Sequence, residues 1–170
     1  VVDLATQAEV APLALGTDVY RINAGRSGRI YIEGEDQWIY MQTINSATGA
    51  VLSSSIMREG DGATDPSGHY YYHCDNNISN AHIGRYDISG DTPVGLSSSA
   101  MHPFGSRNLV ISDDGSRLFW RGYAYDAGLI ETANLGSGVY ATTRRGEVAF
   151  TATQAINVSN RAVLATLPFS

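Results

Sequence analysis

The stretch ISDDGSRLFWRGYAYD, residues 111–126, decides the fold because it contains the parts of a β-hairpin. An apolar run ends at Ile111, an acidic turn follows over Asp113–Ser116, and a second apolar run occupies Leu118–Trp120. A glycine turn between two apolar, aromatic-rich runs is typical of antiparallel strands. The stretch therefore predicts a hairpin, and the rest of the chain repeats it.

The glycine turn recurs along the chain. Ser27–Tyr31 and Ser67–Tyr71 match each other, and Asp114–Phe119 and Arg145–Phe150 match them with one inserted residue. Downstream of each turn, an apolar or aromatic residue precedes an Asn or Asp. These residues are Asn45, Asp87, Asp126 and Asn157. Short polar side chains of this kind suit strand ends because they can hydrogen-bond the turning backbone.

A strand of small residues and leucine closes each repeat, and Leu52–Ser55 recurs as Leu96–Ser99. Three landmarks in a constant order predict units of four short strands with a period of roughly 40 residues, as in β-propeller blades. No stretch holds a 3.6-residue period, so almost no helix is expected. We predict an all-β fold of consecutive four-stranded antiparallel meanders.

The repeat divides the domain into a half blade over 1–16 and blades over about 17–57, 58–101, 102–136 and 137–170. The half blade shows Val2–Asp3 and then an apolar strand, Val10–Ala14, but lacks two earlier strands. Closed propellers hold roughly four to eight complete blades. We therefore expect a partial propeller that belongs to a longer chain or associates with itself through its terminal faces.

Composition excludes several classes of partner and site. All eleven basic residues are scattered Arg and the net charge is −6, so no cationic track for nucleic acid exists. Cys74 is the only cysteine, which excludes an intrachain disulfide and C-x-x-C motifs. No run approaches the roughly 18 apolar residues of a membrane span. Residues 1–15 lack the basic start of a signal peptide.

The segments ISDDGSRLFW, YD and LIETANL within 111–135 resemble the repeats of the YVTN/WD40-like seven-bladed β-propellers of bacterial secreted and periplasmic proteins. The opening VVDLATQAEVAPLAL and the segment Asn45–Val51 resemble the V-I-D-x-x-T-G-x-x-V part of the same repeats. The resemblance spans essentially the whole chain at the level of the repeat. It implies a propeller fold and an extracellular or periplasmic location, in an architecture that many functions share.

These observations predict a non-enzymatic scaffold that binds a protein or another ligand, on an exported bacterial protein. One alternative is a propeller enzyme, a metal-dependent lactonase- or lyase-like hydrolase, and another is a lectin-like module that binds glycans. No catalytic residue is nominated, since no G-x-S-x-G elbow occurs and Asp113 and Asp114 lie in a hairpin turn. The Asn and Asp that recur in every unit are explained by turn capping.

The segment GHYYYHCDNNISNAHIGRYD, residues 68–87, holds the densest chemistry. If its strands pair around the loop 75–80, His73 lies opposite His82, and two imidazoles could begin a zinc site. The alternative is a cross-strand pair that stabilises the hairpin. Asp61, Asp65, Asp113 and Asp114 do not fit the spacing of a calcium loop, which favours turn chemistry. No cofactor is expected, with calcium or zinc as the alternative.

The aromatic residues Tyr70, Tyr72, Trp120 and Tyr123 are the candidate ligand-binding residues. They could form a surface for a sugar or a peptide, or they could pack between blades. Because side chains alternate between the two faces of a strand, about half of them are expected in the core.

Overall fold

The computed structural model of the protein describes residues 2–3, 8–9, 18–25, 28–36, 38–57 and 59–168. Every regular element in these residues is a β-strand, and no helix occurs among them, which confirms the all-β prediction. Strands β1 (Val2–Asp3) and β2 (Ala8–Glu9) form an antiparallel pair. The predicted strand Val10–Ala14 lies outside the described residues.

The other strands form four sheets, each of four antiparallel strands in chain order. The first holds β3 (Val19–Ala24), β4 (Arg29–Gly34), β5 (Tyr40–Asn45) and β6 (Val51–Met57). The second holds β7 (Gly60–Thr64), β8 (Tyr70–Asp75), β9 (Ile83–Asp87) and β10 (Val94–Ser98). The third holds β11 (Val110–Ile111), β12 (Arg117–Trp120), β13 (Tyr123–Asp126) and β14 (Glu131–Asn134). The fourth holds β15 (Val139–Thr142), β16 (Val148–Thr151), β17 (Gln154–Asn157) and β18 (Val163–Thr166).

The first sheet contacts the second, and the third contacts the fourth, through their first strands. β3 lies against β7, and β11 lies against β15. The fourth strands form the opposite edges, and β10 and β18 are exposed along their whole length. Four-stranded meanders arranged in this way are propeller blades. The protein thus has a β-propeller-like architecture, and its sheets are called blades 1 to 4 in chain order.

Glycine turns connect the first and second strands of the blades, as the repeat predicts. Gly68 N donates to the Asp65 carbonyl at 2.9 Å, and Gly115 N donates to the Ser112 carbonyl at 2.8 Å. Both glycines have a positive φ, of 71° and 72°. A residue with a Cβ adopts that conformation only with strain, so glycine allows these turns to close tightly.

The recurring Asn and Asp residues bind the backbone of the turn after the third strand. Asn45 Oδ1 accepts a hydrogen bond from Ala47 N at 2.9 Å, and Asn157 Oδ1 accepts one from Ser159 N at 3.0 Å. Asp87 and Asp126 make the same contact in blades 2 and 3. Turn capping therefore accounts for all four positions, as the sequence interpretation held.

Each blade packs on its neighbours through alternating residues of its strands. In β8, Tyr71 stacks on Tyr31 of blade 1 with ring centroids 4.9 Å apart. The next residue, Tyr72, belongs to a second cluster that contains Leu118 of blade 3. Successive residues of one strand thus serve two different interfaces.

The interface between blades 3 and 4 is apolar. Phe119 and Ala124 of blade 3 pack with Val139, Ala149 and Val158, and all five are buried. Burying a side chain of the size of Phe or Val stabilises the fold by about 1.5–3 kcal/mol relative to exposure.

The described part of the chain contains no helix with the length and apolarity that a membrane crossing requires.

Candidate binding surface

The connection from β10 to β11, residues 99–109, is the longest link between neighbouring blades in the described part of the chain. Binding residues of proteins are often carried by loops that a rigid scaffold positions. This one is fixed at its start, where Ser99 N donates to the Ile83 carbonyl at 2.9 Å and His102 N donates to the Ala81 carbonyl at 2.8 Å. An isolated β-bridge joins Ala81 to His102.

The second half of the connection is fixed as firmly. Trp120 Nε1 donates to the Ser106 carbonyl at 2.6 Å, and Ser106 N donates to the Asp75 carbonyl at 3.1 Å. A Cβ added to Gly105 would lie 2.2 Å from that Asp75 oxygen, so only glycine allows the approach. Arg121 also donates to the Phe104 carbonyl. The backbone of the connection is therefore held in place by the blades beneath it.

An aromatic cage surrounds His102 within the same connection. Its ring lies 4.6 Å from that of Tyr123 and 5.5 Å from that of Trp120, between centroids. Burial and nearby Arg121 lower the pKa of His102, so its ring is neutral at neutral pH. Its Nε2 can then accept the hydrogen bond from the Tyr125 hydroxyl, at 2.8 Å.

Between these anchors the connection presents apolar side chains to solvent. Met101 is 69% exposed and Phe104 is 68% exposed. Trp38, in the link from β4 to β5 of blade 1, is 69% exposed. In a four-stranded meander the second and fourth strands end on the same side, so this link lies at the same end of the blades as the connection 99–109. Met101, Phe104 and Trp38 are called the upper loop surface.

Arg107 joins the two links that carry the upper loop surface. Its Nη2 donates to the Glu35 carbonyl at 2.6 Å and lies 3.0 Å from Glu59 Oε1. Its guanidinium also stacks over the Tyr20 ring, 3.9 Å from the centroid. The connection 99–109 and the β4–β5 link are therefore held to one another.

The structure corrects part of the predicted ligand-binding set. Tyr72 and Trp120 are each 1% exposed, so these two predictions are wrong: both side chains fill the interface between blades 2 and 3. Tyr70 and Tyr123 are half-buried against the same cluster. Tyr70 stands at the start of β8 and Tyr123 follows the end of β12, which places them at opposite ends of the blades.

The upper loop surface was missed from the sequence. A usable signal exists, because Met101 and Phe104 lie between the last predicted strand of one blade and the first predicted strand of the next, and Pro103 separates them. Apolar residues outside every predicted strand are not explained by blade packing. Trp38 directly precedes the apolar run Ile39–Met41, so its sequence resembles the start of a strand, whereas β5 begins at Tyr40.

A polar cluster lies buried between blades 1 and 2. Glu33 Oε1 accepts a hydrogen bond from the Tyr71 hydroxyl at 2.6 Å and lies 3.0 Å from His73 Nδ1. Asn23 Nδ2 donates to the same hydroxyl at 3.1 Å. Burial lowers the pKa of His73, but the charges of Glu33 and Asp75 and the hydrogen bond to Glu33 outweigh it and raise that pKa. The cluster therefore favours the protonated imidazole as donor to Glu33.

Two glycines of β7 close over this cluster. A Cβ at Gly62 would lie 1.9 Å from the Tyr71 hydroxyl oxygen, and one at Gly60 would lie 2.5 Å from Cε1 of His73. The strand backbone thus lies directly on the polar side chains. A cluster sealed in this way offers no access to a substrate, so it serves to fasten blade 1 to blade 2.

Asp61 fastens three blades together. Its Oδ1 lies 2.8 Å from Arg21 Nε of blade 1, and its Oδ2 accepts hydrogen bonds from Asn108 N at 3.1 Å and Leu109 N at 2.9 Å, just before blade 3. Burial raises the pKa of Asp61, although the donors and Arg21 act to lower it. Both carboxylate oxygens are therefore engaged by protein groups.

The pairing that motivated a zinc site is wrong. His73 pairs with Gly84 and not with His82, because the loop before β9 is longer than predicted and contains Asn77 and Asn80 in left-handed conformations. His82 instead places Nδ1 2.9 Å from Asp75 Oδ2. In the described residues, no group of three His, Cys, Asp or Glu side chains is arranged to hold a metal ion.

Among the carboxylates considered for calcium, Asp61 lies buried in β7, so its interpretation as a turn residue is wrong, whereas Asp65 and Asp114 have turn contacts. Asp65 Oδ1 accepts a hydrogen bond from Tyr70 N at 2.7 Å. Asp114 Oδ1 accepts one from Ser116 N at 3.0 Å, and this bond, with those of the Ser116 and Ser112 hydroxyls, lowers the pKa of Asp114 to about 2. These contacts explain the carboxylates as turn residues.

Comparisons with known proteins support the architecture. No protein-family model and no curated protein matches the chain. Among solved structures, the chain is similar to Kuenenia stuttgartiensis hydrazine synthase, with a TM-score of 0.66 and 15% identity. The match covers 94% of this chain and 51% of the other, so this chain spans about half the length of that protein chain. At this identity the likeness shows the fold alone, a β-propeller-like arrangement of blades.

Proposed function

We propose that the protein is a non-enzymatic scaffold that binds a protein ligand through the upper loop surface. The observation that carries the proposal is the exposure of Met101 and Phe104 on a connection whose backbone is hydrogen-bonded to blades 2 and 3. Exposed apolar side chains on rigid elements are typical of interaction sites.

The rigid connection favours binding for an energetic reason. Each rotamer-rich side chain or loop that orders on association costs about 0.5–1.5 kcal/mol. The contacts of His102, Ser106 and Arg107 have already ordered this backbone before a ligand arrives. An apolar segment of a protein ligand can therefore cover Phe104 and Trp38 without that cost, and aromatic anchors of this kind contribute most to interface affinity.

A random peptide library displayed on phage tests the proposal. The library is selected on the wild-type protein, and the selected peptides are then measured against the double variant Met101→Ala/Phe104→Ala. We expect at least about a tenfold loss of affinity, because two exposed apolar anchors are removed. Ile130→Ala is the matched control, since Ile130 is 65% exposed at the other end of the blades.

Two results would contradict the proposal. Selected peptides that bind the double variant as tightly as the wild type would show that the upper loop surface is not the binding site. A glycan array on which the wild type retains a sugar, with loss of the signal in Phe104→Ala, would replace the protein ligand by a carbohydrate.

The proposal includes export from a bacterial cell, which the resemblance to YVTN repeats supports. Expression of the whole natural gene in its host, followed by separation of cytoplasm, periplasm and medium, tests this part. We expect the protein in the periplasm or the medium, and recovery in the cytoplasm alone would contradict export.

A further inference from the structure

In the part of the chain that the structure describes, the outer face of blade 4, on the side away from blade 3, is apolar and open. It forms a cavity of about 620 Å³. The lining residues are Tyr140, Ala141, Phe150, Thr151, Ala152 and Leu167. Tyr140 is 66% exposed, and Phe150 is half-buried although it lies on a central strand.

The corresponding face of blade 3 is the one that packs against blade 4. Val110 pairs with Phe119, Phe119 pairs with Ala124, and Ala124 pairs with Ala133. These four residues form a row across the sheet. Leu135 extends this row, and its N donates to the Gly122 carbonyl at 2.7 Å. The row packs against Val139, Ala149 and Val158 of blade 4.

Blade 4 repeats this row position by position. Ala141 pairs with Phe150, Phe150 with Ala155, and Ala155 with Ala165. Leu167 N donates to the Thr153 carbonyl at 2.7 Å, as Leu135 N does to Gly122. The open face of blade 4 thus has the register and residue types that blade 3 uses at an established blade interface.

We propose that this face packs against a fifth four-stranded blade, carried by a segment of the same polypeptide outside residues 1–170. By continuity with the interface of blades 3 and 4, the fifth blade presents small aliphatic side chains like those of Val139, Ala149 and Val158. Such side chains fill the space over Phe150 at the density of a protein core.

A second copy of the chain fits this face less well. A two-fold pairing would place one Phe150 row on another, instead of on small aliphatic side chains. A head-to-tail pairing would need the outer face of blade 1, where Ile32 and Ile44 lie opposite to the side that carries Tyr31. Ile32 and Ile44 are already buried in the single chain. A fifth blade of the same polypeptide therefore has the better-matched surface.

Thiol labelling of Ala141→Cys tests the proposal. The only native cysteine, Cys74, is buried, and burial raises the pKa of its thiol, so it contributes little background. Maleimide labelling rates are compared between the 170-residue chain and the product of the whole natural gene. We expect the introduced thiol to react at least about tenfold more slowly in the whole product, because a fifth blade covers it.

Ile130→Cys is the matched control and should react at the same rate in both proteins, since Ile130 is 65% exposed in the link from β13 to β14 of blade 3 and does not line this face. Equal rates for Ala141→Cys in both proteins would overturn the proposal, because the face would then be uncovered. Slow labelling already in the 170-residue chain, with the sedimentation coefficient of a dimer, would also overturn it in favour of a second copy.

Discussion

Two interfaces of the same repeat are built with different chemistry. Between blades 3 and 4, Phe119 packs with Val139 and Ala149 in an apolar layer. Between blades 1 and 2, Tyr31 and Tyr71 also stack, but Glu33 and His73 lie beside them as a buried charged pair. Both interfaces thus contain a buried aromatic ring. Between blades 1 and 2, polar side chains replace part of the apolar layer that surrounds this ring.

The difference separates two ways of joining blades. An apolar layer is non-directional, and its strength depends on the area that it removes from water. A buried charged pair gains little net stability, but the loss of one partner leaves an uncompensated polar group and is costly. We therefore expect the stability of the interface between blades 1 and 2 to depend on pH and charge. The stability of the interface between blades 3 and 4 should depend only on the volume of its side chains.

The largest effect is expected at the apolar interface. Phe119→Ala removes a ring that is completely buried, and such a change costs about 3–5 kcal/mol. The free energy of unfolding in urea measures this loss, which should be the same at pH 6 and pH 8. Phe150→Ala, at the equivalent position of blade 4, is the control and should cost less because Phe150 is half-buried. An equal loss at both positions would show that the blade 3–4 layer is not what holds Phe119.

A smaller loss is expected when the charge between blades 1 and 2 is removed. Glu33→Gln keeps an oxygen that can accept the Tyr71 hydroxyl but removes the charged bond to His73, which is worth about 1.5–3 kcal/mol. Urea unfolding at pH 6, where His73 is protonated, measures the difference. Glu35→Gln, an exposed carboxylate after the same strand, is the control and should change stability little. If Glu33→Gln were as stable as the wild type at pH 6, the description of Glu33 and His73 as a charged pair would be contradicted.

The charged interface also predicts a pH dependence. The pKa of His73 is raised from 6.5, so above about pH 6.5 the folded protein binds more protons than the unfolded chain. The stabilisation is complete below that pH and is lost as pH rises through the raised pKa. The free energy of unfolding should fall over this window in the wild type and fall less in Glu33→Gln. His102, whose pKa is lowered, acts mainly below the window. Parallel profiles for the two proteins would contradict the role of Glu33.

The smallest effect is expected at the solvent-exposed rim of the same interface. Arg29 Nε and Nη2 lie 2.9 and 2.5 Å from Asp91 Oδ1. Exposed ion pairs contribute roughly 0.2–1 kcal/mol. Asp91→Ala should lower the free energy of unfolding within that range, and the difference from the wild type should disappear at about 1 M salt. A loss that persists at high salt would show that Asp91 acts through packing and not through charge.

The fold was accessible from the sequence because turns and periodicity are local. Strand β4, Arg29–Gly34, begins directly after the predicted glycine turn, and it contains the consecutive β-branched and aromatic residues Ile30–Ile32 that favour a strand. Strand β7, Gly60–Thr64, has only a weak strand signal in its sequence because it contains two glycines. Those glycines leave space for the polar cluster that is buried between blades 1 and 2. This need arises from contacts between blades, so it cannot be recognised from the sequence of the strand itself.

The site was less accessible for a related reason. The partner of His73 in the fold is Glu33, forty positions earlier, and not a residue across the nearest hairpin. Every tyrosine of the run Tyr70–Tyr72 looks the same in sequence, yet Tyr71 and Tyr72 point to different blades. The exposure of Phe104 depends on how Ser106 and His102 are bound by other blades, which the sequence of the connection alone does not specify.

The alternation along β8 has a consequence for how the gene can change. Tyr71 is constrained by blade 1 and its neighbour Tyr72 by blade 3, so adjacent codons evolve under selection from different parts of the protein. Insertion of a single codon into this strand would exchange the two sets of side chains and damage both interfaces at once. Insertions in the connection 99–109 would leave every strand in register. Length variation among homologues should therefore accumulate in the links between blades and be absent from their central strands.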